Sequence, residues 1–86
     1  MTEPDDLPWE PMRERVEALV ETHPLLDDIP CAPSVEANRL GVRMVFGAWT
    51  VTVVSPDWYL PATEDRARLI ALNLAIQARE QYDEGG

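Results

Sequence analysis

Residues 41–55, GVRMVFGAWTVTVVS, are the most regular stretch of this 86-residue chain, and their reading decides the fold. Apolar and polar side chains nearly alternate on both sides of Gly47-Ala48, as they do along strands with one buried face. A two-residue loop at Gly47-Ala48 fits a type II′ turn, in which glycine supplies the positive φ of the first central position. The loop pairs Phe46 with Trp49, Met44 with Val51 and Val42 with Val53, all on one face. Arg43, Val45, Thr50 and Thr52 fall on the other face. A slip of one residue would expose the aromatic pair, so the register is firmly specified.

Toward the N-terminus, Gly41 marks a second turn. With Leu40-Gly41 as the loop, Arg39 faces Val42, Ala37 faces Met44 and Val35 faces Phe46. Val35 and Ala37 then join the apolar face, and Glu36 and Asn38 the polar one. The result is a three-stranded antiparallel meander over about 35–39, 42–46 and 49–54. Its first strand is the weakest, because Leu-Gly is not among the favoured hairpin pairs.

Two helices flank the sheet. The stretch PWEPMRERVEALVETHP predicts a helix over residues 11–22, with Pro11 suited to the first turn and Pro24 opposing continuation. Met12, Val16, Leu19 and Val20 share one side of it; Glu10, Glu14, Glu17 and Glu21 lie opposite. DDIPCAPS then forms an extended connector. After the sheet, Thr63 N-caps a helix running to about Tyr82, with Glu64 and Asp65 in its first turn and Arg79 near its end. Ala67, Ile70, Ala71, Leu74, Ala75 and Ala78 form one apolar arc. Leu69, Leu72 and Ile76 form a second, so this helix should touch two apolar neighbours.

The expected architecture is therefore α+β: an αβββα chain with a three-stranded antiparallel meander and two helices packed on one face. Residues 1–86 form a single small acidic domain, with 1–7 as a flexible tail. The element order resembles that of the double-stranded-RNA-binding domain. The basic residues that such a domain places on phosphates are missing, and the resemblance stops at topology.

Charge narrows the choice of partner. The chain carries 16 acids against 7 basic residues, a net charge of −9. Residues 1–28 hold nine acids and two arginines, giving −7, whereas 29–62 are neutral and 63–86 carry −2. This sign excludes nucleic acid and anionic membranes as direct partners, since both require a basic footprint. A protein with a basic surface is the natural counterpart. All seven basic residues are arginine, which fits a GC-rich genome or adaptation to high salt. With one cysteine, no apolar run near 18 residues and an acidic, Pro-rich N-terminus, the chain reads as cytoplasmic, without disulfides or membrane spans.

Few residues offer catalytic chemistry. His23, Asp27, Asp28 and Cys31 lie close in sequence, but their spacing matches no established zinc pattern. A nucleophilic Cys31 would need His23 folded back onto it. There is no Gly-rich phosphate loop. The reading is therefore non-enzymatic, with no catalytic residue, metal or cofactor.

Binding has three candidate elements. The row Glu10, Glu14, Glu17 and Glu21 spans about 16 Å of helix, at roughly 1.5 Å per residue. Over that length duplex DNA presents about nine charges, so the row alone mimics DNA poorly. Trp58 and Tyr59, adjacent in SPDWYLP, form a proline-flanked aromatic loop of the kind that anchors interfaces. The arc of Leu69, Leu72 and Ile76 either packs under the first helix, leaving a monomer, or forms a homodimer seam. A monomer is expected, because the first helix has a matching apolar side.

The expected function is an acidic protein-interaction module that binds a host protein, such as an accessory or inhibitory protein of a phage or mobile element of a high-GC bacterium. The alternatives are a DNA-mimic inhibitor of a nucleic-acid-binding protein and a small enzyme using His23 and Cys31.

Overall fold

The computed structural model describes residues 8–30 and 32–85. In chain order it contains α1 (Glu10–Glu21), a short 3-10 turn (Pro24–Leu26), β1 (Ser34–Asn38), β2 (Gly41–Phe46), β3 (Trp49–Val54) and α2 (Glu64–Gly85). The strands form an antiparallel sheet in the order β1-β2-β3. Both helices pack on one face of it, so the fold is the expected αβββα meander.

The β2–β3 hairpin has the expected register, with Phe46 opposite Trp49, Met44 opposite Val51 and Val42 opposite Val53. Gly47 takes a φ of 62°, and Ala48 stays outside the positive-φ region, the pattern of a type II′ turn. Phe46 and Trp49 stack with centroids 5.5 Å apart, and Tyr82 of α2 meets Trp49 edge-on at 5.7 Å. Phe46 is buried; Trp49 lies half-buried at the sheet end.

The first hairpin turns one residue earlier than its sequence suggests. Its loop is Arg39-Leu40, and Asn38 faces Gly41, Ala37 faces Val42 and Val35 faces Met44. The cause is the Asn38 side chain, whose Oδ1 accepts from the amides of Leu40 at 2.8 Å and Gly41 at 3.1 Å. Such an Asx turn closes the loop without a glycine inside it. The register moves by two residues, which preserves the faces, so Val35 and Ala37 still point toward the helices.

Helix α1 begins at Glu10, after Trp9, and Pro11 sits in its first turn, where the missing amide costs no intrahelical bond. His23 caps the 3-10 turn that follows, its Nδ1 accepting from Leu25 N at 3.2 Å. Thr63 caps α2 as expected: its Oγ1 accepts from Arg66 N at 3.2 Å, and its carbonyl from Ala67 N at 3.1 Å.

Met12, Val16 and Val20 of α1 and the alanine-rich arc of α2 close over Val35, Val42, Met44, Phe46 and Val51. Small alanines let α2 approach α1 and the sheet closely, while Ile70 and Leu74 fill the space between. The helices run side by side in the same direction, since Arg15 is level with Glu64 (4.0 Å) and Arg79 reaches the Leu25 carbonyl (3.4 Å).

Side chains from the helices also reach the two edge strands. Glu17 Oε2 accepts from Val35 N at 3.2 Å, and Arg13 Nη1 donates to Val35 O at 3.0 Å. On the opposite edge, Gln81 Nε2 donates to Thr50 O at 3.3 Å. Covering outward-facing backbone groups in this way blunts an edge against pairing with another chain.

The connector after α1 is strapped to α2 by Arg79, which donates to Asp28 Oδ1 at 2.6 Å and also pairs with Asp83 at 3.4 Å. The hydrogen bond from Arg79, followed by one from backbone, holds the Asp28 carboxyl below its ordinary value. A lowered carboxyl pKa stabilises the fold above the ordinary carboxylate value of about 4, and this contribution is lost as pH falls through the lowered value. In Arg79→Gln, carboxyl NMR should therefore show Asp28 titrating higher than in the parent. An unchanged Asp28 titration would mean that the strap is not formed in solution.

Candidate interaction surface

The aromatic loop is not a surface anchor. Residues 55–58 fold back beneath the β1–β2 turn, where Ser55 N donates to Leu40 O at 2.9 Å and Asp57 N to Arg39 O at 3.1 Å. Asp57 adopts a φ of 57°, a left-handed conformation that aspartate tolerates better than most residues. The turn aims Trp58 inward: it is 0 % exposed, and its indole N–H donates to Asn38 O at 2.6 Å. Tyr59 is 6 % exposed and packs against both Trp58 and Trp9. Both rings belong to the core, because a sheet this small needs large aromatics to close its end.

The glutamate row is divided. Glu10 accepts from Arg13 Nη2 at 2.8 Å, and Glu17 from Arg13 Nη1 at 3.4 Å. Glu10 first, and Glu17 less strongly, raise the Arg13 pKa. Glu17 also holds β1 through Val35, so these two carboxylates are structural partners in the fold. Of the four, only Glu14 and Glu21 are exposed. Replacing Glu14 and Glu21 with glutamine should change stability by no more than about 0.5 kcal/mol per site. Arg13→Ala should cost about 1–2 kcal/mol, because it removes a charge-assisted bond to the Val35 carbonyl and frees Glu17. Equal thermal unfolding curves for the two variants would refute this division.

The arginines are largely committed within the fold. Among the described residues, six of the seven bond to or form ion pairs with protein groups: Arg13, Arg15, Arg43, Arg66, Arg68 and Arg79. The surplus acids therefore set the sign of the surface.

The outer arc of α2 does not pack as its spacing suggests. Leu69, Leu72 and Ile76 are not covered by α1 and stand 48 %, 41 % and 40 % exposed. Helix α1 meets the alanine arc instead, leaving the second arc facing outward. Spaced i, i+3 and i+7, these three side chains form a stripe along the outer side of α2. Beside it lies a depression of about 380 Å³ between the end of α1 and α2, with Leu19, Pro24, Ala71 and Leu72 as apolar lining and His23 and Arg68 at its walls. Leu72 belongs to both, so stripe and depression are continuous. Periodicity revealed the arc in the sequence; only packing shows that nothing covers it.

A second depression, of about 420 Å³, lies on the open face of the sheet around Gly41, between Asn38, Leu40, Arg43 and Val54. Arg43 pairs with Glu36 across it. Among the described residues, no three His, Cys, Asp or Glu side chains converge as a metal site. Cys31, on which the alternative enzymatic reading depends, lies outside the described residues, as does the expected 1–7 tail. No described helix is long and apolar enough to cross a membrane. Comparison of the chain with protein families, curated proteins and solved structures finds no match.

Proposed function

We propose that the chain is a non-enzymatic, acidic protein-interaction module, and that it binds another protein through the outer stripe of α2 and the adjoining depression. The observation that supports this reading is the exposure of Leu69, Leu72 and Ile76 in a continuous row. Large apolar side chains clustered on a small surface lose favourable free energy in water, and covering them on binding recovers it. The acidic surroundings favour a partner with a basic surface. Such a module would suit an accessory or inhibitory role, in which one chain blocks or recruits another without chemistry of its own. The chain itself is proposed to be a monomer.

Leu72→Glu tests the surface. Because Leu72 is already partly in water, the variant should fold with a loss within about 1 kcal/mol. It should nevertheless fail to capture partners that the parent captures from the source cell. Unfolding of the variant would place Leu72 in the core; full capture by a folded variant would move the site elsewhere.

A further inference from the structure

Resting on the reading of α2 as a binding surface, we infer that its occupant is an amphipathic helix of another protein, carrying basic residues at both ends of its apolar stripe. The inference comes from what bounds the stripe. At roughly 100° per residue, Asp65, Leu69, Leu72, Ile76 and Glu80 fall within a sector of about 80° on α2. The apolar row thus ends in a carboxylate at each end. Asp65 and Glu80 are exposed, and neither takes part in an ion pair among the described residues.

A second copy of this chain fits that pattern poorly. Antiparallel pairing of two α2 helices about Leu72 sets Asp65 level with Arg79 of the second copy, but that guanidinium is already held by Asp28 and Asp83 of its own chain. Parallel pairing sets the two Asp65 side chains together, and the two Arg79 side chains one turn beyond Ile76. Parallel pairing thus brings like charges to the seam, and in either arrangement each copy carries −9 overall. Like charges across an interface select against that pairing. A partner helix with lysine or arginine opposite each carboxylate meets the same apolar row with complementary charge. The two carboxylates are 15 residues apart, so the basic positions lie about 22 Å apart along the partner, at 1.5 Å per residue.

The probe is a pair of synthetic amphipathic helices of about 20 residues, long enough to span the stripe. Both carry leucine at i, i+3 and i+7; one is flanked by lysines at the two ends and the other by glutamates. Titrated into the full chain at low salt, the lysine-flanked peptide should bind at least about tenfold tighter. The preference should disappear in the Asp65→Asn, Glu80→Gln double variant, and binding of both peptides should disappear in Leu72→Glu. Equal binding of the two peptides, binding of neither, or a preference that survives the double variant overturns the inference. A concentration-dependent dimer in sedimentation that Leu72→Glu abolishes also overturns it, by making the second copy the occupant. If Leu72→Glu abolishes capture of a cellular partner while the double variant leaves capture unchanged, the surface stands and this chemistry fails.

Discussion

Trp58→Ala is expected to destabilise the protein by about 3–5 kcal/mol, a loss that leaves little of a domain this small folded. Trp58 is the largest fully buried side chain. Its truncation removes the aromatic packing and also the donor to the Asn38 carbonyl, in the turn that sets the β1–β2 register. The backbone carbonyl of Trp58 in turn accepts from Arg66 Nε at 2.8 Å, which ties the loop to the first turns of α2. One residue thus joins the hairpin, the connecting loop and the second helix. Trp58→Phe separates the two contributions. It keeps most of the apolar volume and removes the indole N–H, so it should cost more than the roughly 1 kcal/mol of one ordinary hydrogen bond, because a smaller ring also leaves a void. Urea unfolding of the three proteins gives the comparison. A Trp58→Ala variant as stable as the parent would return the ring to the surface and restore the aromatic loop as an interface.

Trp58 also shows where sequence reading reaches its limit. Adjacent aromatics between prolines carry no periodicity, so nothing local tells whether their loop stands out or folds back. Three contacts to residues 38–40 decide it, and each depends on a turn some 18 residues earlier in the chain. Local signals fared better. The Gly47-Ala48 hairpin was legible because alternation, loop length and the glycine agree. The buried arc of α2 was legible because alanine spacing at the helical period admits one face. The glutamate row was legible as spacing but not as chemistry. Arg13 stands three residues after Glu10 and four before Glu17, which suggests their pairing, while the bond of Glu17 to Val35 depends on how α1 lies over an edge strand. The fate of Leu69, Leu72 and Ile76 had no local signal. It depended on which arc α1 would choose, and the alanines allow the closer approach.

Gly41→Ala is expected to cost about 1–3 kcal/mol, the range for forcing extra volume into a packed site, and Gly41→Val more. In the sequence this glycine looks like a turn residue. In the fold it is the first residue of β2, outside the positive-φ region, so the turn does not require it. It is required by what lies beside it. A β-carbon at Gly41 would overlap the Val53 carbonyl oxygen and come within 3.1 Å of Val54 Cα. Both are backbone atoms of β3, so no flexible side chain can yield, and the strands themselves would have to part. Separation there would strain the Val42–Val53 pairing and, through Ser55 N and Leu40 O, the loop that carries Trp58. Leu40→Gly supplies the control: it changes the neighbouring, 61 % exposed position and should alter stability far less. If thermal unfolding ranks Leu40→Gly as the more damaging of the two, Gly41 serves the turn after all. If Gly41→Ala is the more damaging, the close approach of β2 to β3 is what this glycine provides.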